Sequence, residues 1–160
     1  MSDISQEELN ERVRLLHRFK ELLQQQRAKY QEYLNVLEKQ QNSIECENAD
    51  NLMAHTELGK QVVENLKTLQ KVIVPMKKMC EAHNIQLSTG DKEIETLQND
   101  LTSLQEKVLK QNELNQDLIR SHMESLINRI NNFKNPYKNN RSVYARSQPQ
   151  KVASLVSVEA

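Results

Sequence analysis

Leu9, Leu16, Leu23, Tyr30, Leu37 and Ile44 stand seven residues apart without a miss. Side chains at that spacing return to one face of an α-helix every two turns, which is the pattern a helix needs to pack along other helices. The chain carries such patterns from Ser5 to Phe133, and they leave few architectures open. A narrow bundle of long helices has little concave interior for a substrate pocket. It offers long faces for binding other chains.

Composition agrees. Only 37% of the 160 residues are hydrophobic and 4% aromatic, so a thick globular core is not expected. Two Gly and three Pro are too few for a turn-rich β protein. The 16 Gln and 16 Asn are scattered through the periodic apolar positions. They read as solvated helix faces rather than a disordered Gln/Asn tract.

The first helix opens at Ser5-Gln6-Glu7-Glu8, a capping box, and runs without Gly or Pro to about residue 47. Val13 and Leu34 widen its stripe, whereas Lys20, Arg27 and Gln41 interrupt it. The period breaks over Cys46–Asn51, with Asp50 as N-cap of a second helix over about 51–84. Leu58, Val62, Leu66, Leu69, Ile73, Met76, Cys80 and His83 form its stripe, with Pro75 inside it. A proline there predicts a kink near Lys71–Pro75 or, failing that, the end of the helix.

Ser88-Thr89-Gly90-Asp91 is a turn leading into an Asp N-cap, and a third helix follows over about 91–133. Ile94, Leu97, Leu101, Leu104 and Val108 form its first apolar sector. A polar waist over 110–117 precedes a second sector, Leu118, Ile119, Met123, Leu126, Ile130 and Phe133. That second sector is either bundle core or a groove for a partner's amphipathic helix, and Met123 suits an adaptable surface. Short connections between long helices favour antiparallel neighbours. The expected fold is therefore all-α: three long antiparallel helices in a bundle over 1–133, with a flexible tail over 134–160.

The tail carries Lys134, Lys138, Arg141, Arg146 and Lys151, with Tyr137 and Tyr144 between them, and ends in Val152–Val158. It reads as a solubilising tail, a stacking surface for single-stranded nucleic acid, or a docking peptide anchored by the tyrosines and Leu155-Val156. A formal net charge of zero, from 22 basic and 22 acidic residues, argues against nucleic acid as partner of the whole chain.

No enzyme constellation is present, and no cofactor is implied. His17, His55, His83 and His122 are dispersed, and Cys46 and Cys80 lack metal-ligand spacing, so no metal site is expected. There is no glycine-rich phosphate loop and no Gly-x-Ser-x-Gly. The longest apolar run is far short of a membrane span, and the N-terminus lacks the features of a secretion signal. These features predict a cytoplasmic protein with reduced thiols and no membrane insertion.

The order of the C-terminal elements is informative. Asn112-Glu113-Leu114-Asn115-Gln116-Asp117-Leu118-Ile119 is followed by Asn135-Pro136-Tyr137, then Arg141-Ser142-Val143-Tyr144, then Ala153–Ala160. In this order the chain resembles the FlgN-type chaperones of the bacterial flagellar export system. The resemblance implies a type III export chaperone that binds the C-terminal helices of hook-associated junction proteins, prevents their early association, and delivers them to the export gate and its ATPase. It implies that Ile119, Met123, Leu126, Ile130 and Phe133 face the cargo, and that Tyr137 or Tyr144, with Leu155 and Val156, dock at the gate. The competing readings are a structural coiled-coil or tethering subunit and a stalk-like component of the export ATPase.

Overall fold

A computed structural model describes residues 5–83, 85 and 91–138, with side chains through residue 133. It contains three helices: α1 (Gln6–Glu45), α2 (Ala49–Ala82) and α3 (Lys92–Lys138). The class is all-α, as the periodicity predicts.

Each helix start follows from local chemistry. The Ser5 hydroxyl accepts from the Glu8 amide at 3.2 Å, which satisfies one of the amides that a first turn leaves without a partner. At the other end of α1, Glu47 adopts φ 53°, in the left-handed region. This lets the Glu47 amide bond the Ile44 carbonyl and the Asn48 amide bond the Ser43 carbonyl, a Schellman closure built without glycine. The chain is then aimed so that Asn48, and not Asp50, caps α2, its side chain accepting from the Asn51 amide at 3.1 Å. Asp50 lies in the first turn, where its charge favours the helix N-terminus. At α3 the Asp91 carboxylate accepts from the Glu93 amide at 2.9 Å.

Neither proline ends its helix where the pattern suggests an end. Helix α2 continues through Pro75 to Ala82, which excludes termination there. Helix α3 extends five residues past Phe133, through Asn135-Pro136-Tyr137 to Lys138. A proline removes one amide donor and crowds the preceding turn.

Residues up to Leu118 form one compact unit. Within it α1 and α2 run antiparallel, tied by Gln26 to Gln70 and by Gln40 to Thr56. α1 and α3 run parallel, since Lys20, Arg27 and Gln41 meet Asp91, Asp100 and Gln111 in order. The topology is up-down-up. Its core unites Phe19, Leu22 and Leu23 of α1 with Ile73 and Cys80 of α2 and Ile94, Leu97 and Leu101 of α3. A second cluster joins Leu34 and Leu37 to Leu104 and Val108, with Tyr30 and Tyr33 against it. The seven-residue stripe is buried at Leu23, Leu37 and Ile44, but its first member, Leu9, is exposed.

The three interruptions of the α1 stripe are now accounted for. The Lys20 ammonium lies 2.6 Å from Asp91 and 3.1 Å from Glu93, Arg27 lies 2.9 Å from Asp100, and Gln41 accepts from Gln111 at 2.7 Å. These residues sit on the flank where α1 meets α3, and each polar head finds its partner there. The hydrogen bond to Asp91 chiefly raises the Lys20 pKa, and the same bond chiefly lowers that of Asp91.

Candidate functional site

Helix α3 carries two apolar sectors on one continuous helix, and their surroundings differ. In the first, Ile94, Leu97, Leu101, Leu104 and Val108 are all buried. In the second, Ile119 is 38% exposed, Met123 53%, Leu126 53%, Ile130 42% and Phe133 74%. Steps of four and three residues at about 100° each keep these five within roughly 80° of the helix circumference. The sector is therefore a narrow apolar seam open to solvent. Ile127, 40% exposed, lies beside it. Ile127 is not among the residues that the seven-residue pattern selects, because it stands one position after Leu126. Its signal is the apolar pair Leu126-Ile127 itself.

The waist between the sectors is polar for a structural reason. Asn115 is 4% exposed, and its amide nitrogen donates to the Leu37 carbonyl at 2.8 Å. Gln111 donates to Asn115 at 3.0 Å as well as to Gln41, and Asn112 donates to the Tyr33 hydroxyl at 3.4 Å. Buried amides need such partners. The helix runs unbroken through these residues, so the waist joins α3 to the last third of α1 by side-chain amides.

Of the remaining candidate residues, Tyr137 lies in the last turn of α3, where side chains are not described. Tyr144, Leu155 and Val156 lie outside the described residues.

Elsewhere the described residues offer little chemistry. A shallow groove of ≈ 300 Å³ lies beside Tyr33, Gln40, Gly59, Lys60 and Lys67. Among the described residues no group of His, Cys, Asp and Glu is placed to hold a metal ion. Cys46 is exposed and Cys80 buried, both as free thiols; burial chiefly raises the Cys80 pKa. No described helix is long and apolar enough to cross a membrane.

The described residues thus form a helical scaffold with an open apolar seam on the distal half of α3. Comparison with known proteins gives the family. The family model described as FlgN protein matches residues 15–151. An uncharacterized protein of Treponema pallidum (strain Nichols) is 37% identical over 131 residues, which cover 82% of this chain and 82% of that one. No solved structure matches. The chain belongs to the FlgN family, and this makes it a flagellar export chaperone.

Proposed function

We propose that this chaperone holds the C-terminal helices of hook-associated junction proteins against Ile119, Met123, Leu126, Ile130 and Phe133. It would do so in the cytoplasm before delivering them to the type III export gate and its ATPase. The observation that carries the reading is the exposure of this seam on a helix whose first half uses the same spacing to form the core. Junction proteins with apolar terminal helices associate with one another unless those faces are covered. A chaperone that lends a complementary face holds them apart by mass action.

Covering a half-exposed Ile, Met or Leu contributes roughly 1 kcal/mol, so the seam supplies several kcal/mol before the cost of association. Release therefore requires no chemistry, only competition for the seam. Tyr137 or Tyr144, with Leu155 and Val156, are the residues proposed to dock at the gate.

The test is light scattering of the full chain, alone and mixed with the C-terminal segment of a junction protein, then with Leu126→Asp plus Ile130→Asp. A stoichiometric complex is expected, lost in the double variant while helicity is retained. A wild-type chain that is itself a stable oligomer through this seam, and binds no segment, would make it a structural coiled-coil subunit instead.

A further inference from the structure

Charge is unevenly spread along α2. Between Asn65 and Cys80 stand Lys67, Lys71, Lys77 and Lys78 with no Asp or Glu, in a chain whose net charge is zero. At about 100° per residue, Lys67, Lys71 and Lys78 fall within roughly 40° of one another, in a row about 16 Å long. The row lies on the side of α2 away from Val62, Ile73 and Cys80, the residues it buries, and all three lysines are exposed.

Nothing within the bundle neutralises this row. The nearby acids of α3 are taken by α1: Asp91 and Glu93 by Lys20, and Asp100 by Arg27. Lys67 meets only Glu64 of its own helix, at 3.3 Å, with both side chains well exposed. Among the described residues Lys71, Lys77 and Lys78 form no ion pair.

The same face is apolar where a solvated face would be polar. On α1 the exposed surface interleaves its charges and amides, Lys29 with Glu32 and Gln31 with Asn35. On α2 the neighbours of the lysine row are Val72, 43% exposed, Met79, 47% exposed, and Pro75, also exposed. Their steps of three and four residues make a short second seam on the outside of the helix. Lys71 and Lys78 each stand one position before an end of that seam, where flanking charges select the partner of a two-helix coil.

We propose that the outer face of α2 over Lys67–Met79 binds an acidic amphipathic helix of a partner protein. Its apolar side chains lie on Val72, Pro75 and Met79, and its carboxylates beside Lys71 and Lys78. Charge complementarity fixes the sign of the partner, and the three-four spacing fixes its form. A lipid surface fits less well, because an interfacial helix turns its large apolar face to the bilayer, and that of α2 is in the core. Single-stranded nucleic acid stacks on aromatic side chains, and residues 65–80 contain none. The face uses none of the residues proposed to hold cargo, so each reading stands or falls alone.

The experiment titrates the full chain with a designed amphipathic peptide about three heptads long, leucines at its seam and glutamates beside them. The same peptide with glutamines for glutamates, and vesicles of phosphatidylglycerol with phosphatidylcholine, are titrated in parallel. The variants are Lys71→Glu plus Lys78→Glu, and a control of equal charge, Lys39→Glu plus Lys107→Glu, each checked by circular dichroism. The acidic peptide is expected to bind the wild type about tenfold tighter or more than the glutamine peptide, more weakly as salt rises. Lys71→Glu plus Lys78→Glu should lose about tenfold or more of that affinity, and the control less than about threefold. Equal losses in the two variants, equal binding of the two peptides, or no binding of either would overturn the proposal. Vesicle binding that depends on Lys71 and Lys78, with the acidic peptide unbound, would also overturn it and make the face a membrane contact.

Discussion

The proximal and distal halves of α3 carry nearly the same apolar pattern, and one is core while the other is exposed. Their difference lies outside α3. Over Ile94–Val108 the apolar positions meet side chains of α1 and, in part, α2. The distal seam shows no such burial. A periodic stripe thus states that a helix face will be covered, not what will cover it. In this chain the first half is covered by its own sequence, and a chaperone's work is proposed for the second.

The contrast is most directly challenged by matched truncations. Leu101→Ala removes a buried side chain and is expected to cost about 2–5 kcal/mol of unfolding free energy. Leu126→Ala, at the distal seam, is expected to change it by less than about 0.5 kcal/mol. Urea denaturation of both variants measures this, and a comparable loss in the two would mean that the distal seam is core after all.

The waist gives the next largest effect. Asn115→Asp puts a carboxylate where a buried amide donates to the Leu37 carbonyl. It is expected to cost about 2–3 kcal/mol at neutral pH, by burying a charge and turning a donor into an acceptor. The loss should shrink as pH falls and the carboxyl is protonated. Thermal melts across pH would reveal a surface-like waist if this variant behaved as wild type.

A smaller effect belongs to the Lys20–Asp91 pair. The Asp91 pKa is lowered in the folded chain, so the folded state binds this proton less tightly than the unfolded state. The contribution is full above the ordinary carboxylate range and is lost as pH falls from about 4 through the folded value. The Lys20 pKa is raised, so its contribution is present below the ordinary lysine range and is lost as pH rises through the folded value, above about 10. Asp91→Asn keeps an acceptor for the α3 cap but removes the charge. It should flatten the acid limb of the stability–pH curve, and an unchanged limb would show that the pair contributes nothing there.

Among the proximal sites the smallest effect is expected at Gly59, inside α2. A Cβ there would lie 3.6 Å from Val36 Cγ1 and 3.7 Å from a Tyr33 ring carbon, ordinary contact distances. Gly59→Ala should therefore stabilise the proximal bundle by about 0.5–1 kcal/mol through helix propensity and lower unfolded-state entropy. A destabilised variant would mean that α1 and α2 pack more tightly at this point than those distances imply.

Much of the fold is legible in local pattern. The Ser5 cap and the Asp91 cap depend on residues near in sequence, and the structure has them as read; the seven-residue stripe is buried at Leu23, Leu37 and Ile44 but not at Leu9. What was not legible depends on distant partners or on backbone geometry that no side chain announces. Lys20, Arg27 and Gln41 look like defects in α1 until Asp91, Asp100 and Gln111 stand beside them. Asn48 and Asp50 are both good capping residues, and the left-handed conformation of Glu47 selects between them. The polar waist reads as an interruption of α3 because its partners lie on α1. For the site, the residues of the distal seam are visible in the sequence, but their exposure is not, since Leu104 and Leu126 occupy equivalent places in one repeating pattern.

The central claim is that the distal seam of α3 is where cargo binds. It is tested most directly by amide hydrogen exchange of the full chain with and without the C-terminal segment of a junction protein. The account predicts new protection concentrated over residues 119–133, with the amides of α1, α2 and residues 92–115 unchanged. Protection appearing instead along α1 and α2, with 119–133 exchanging as in the free chain, would contradict it.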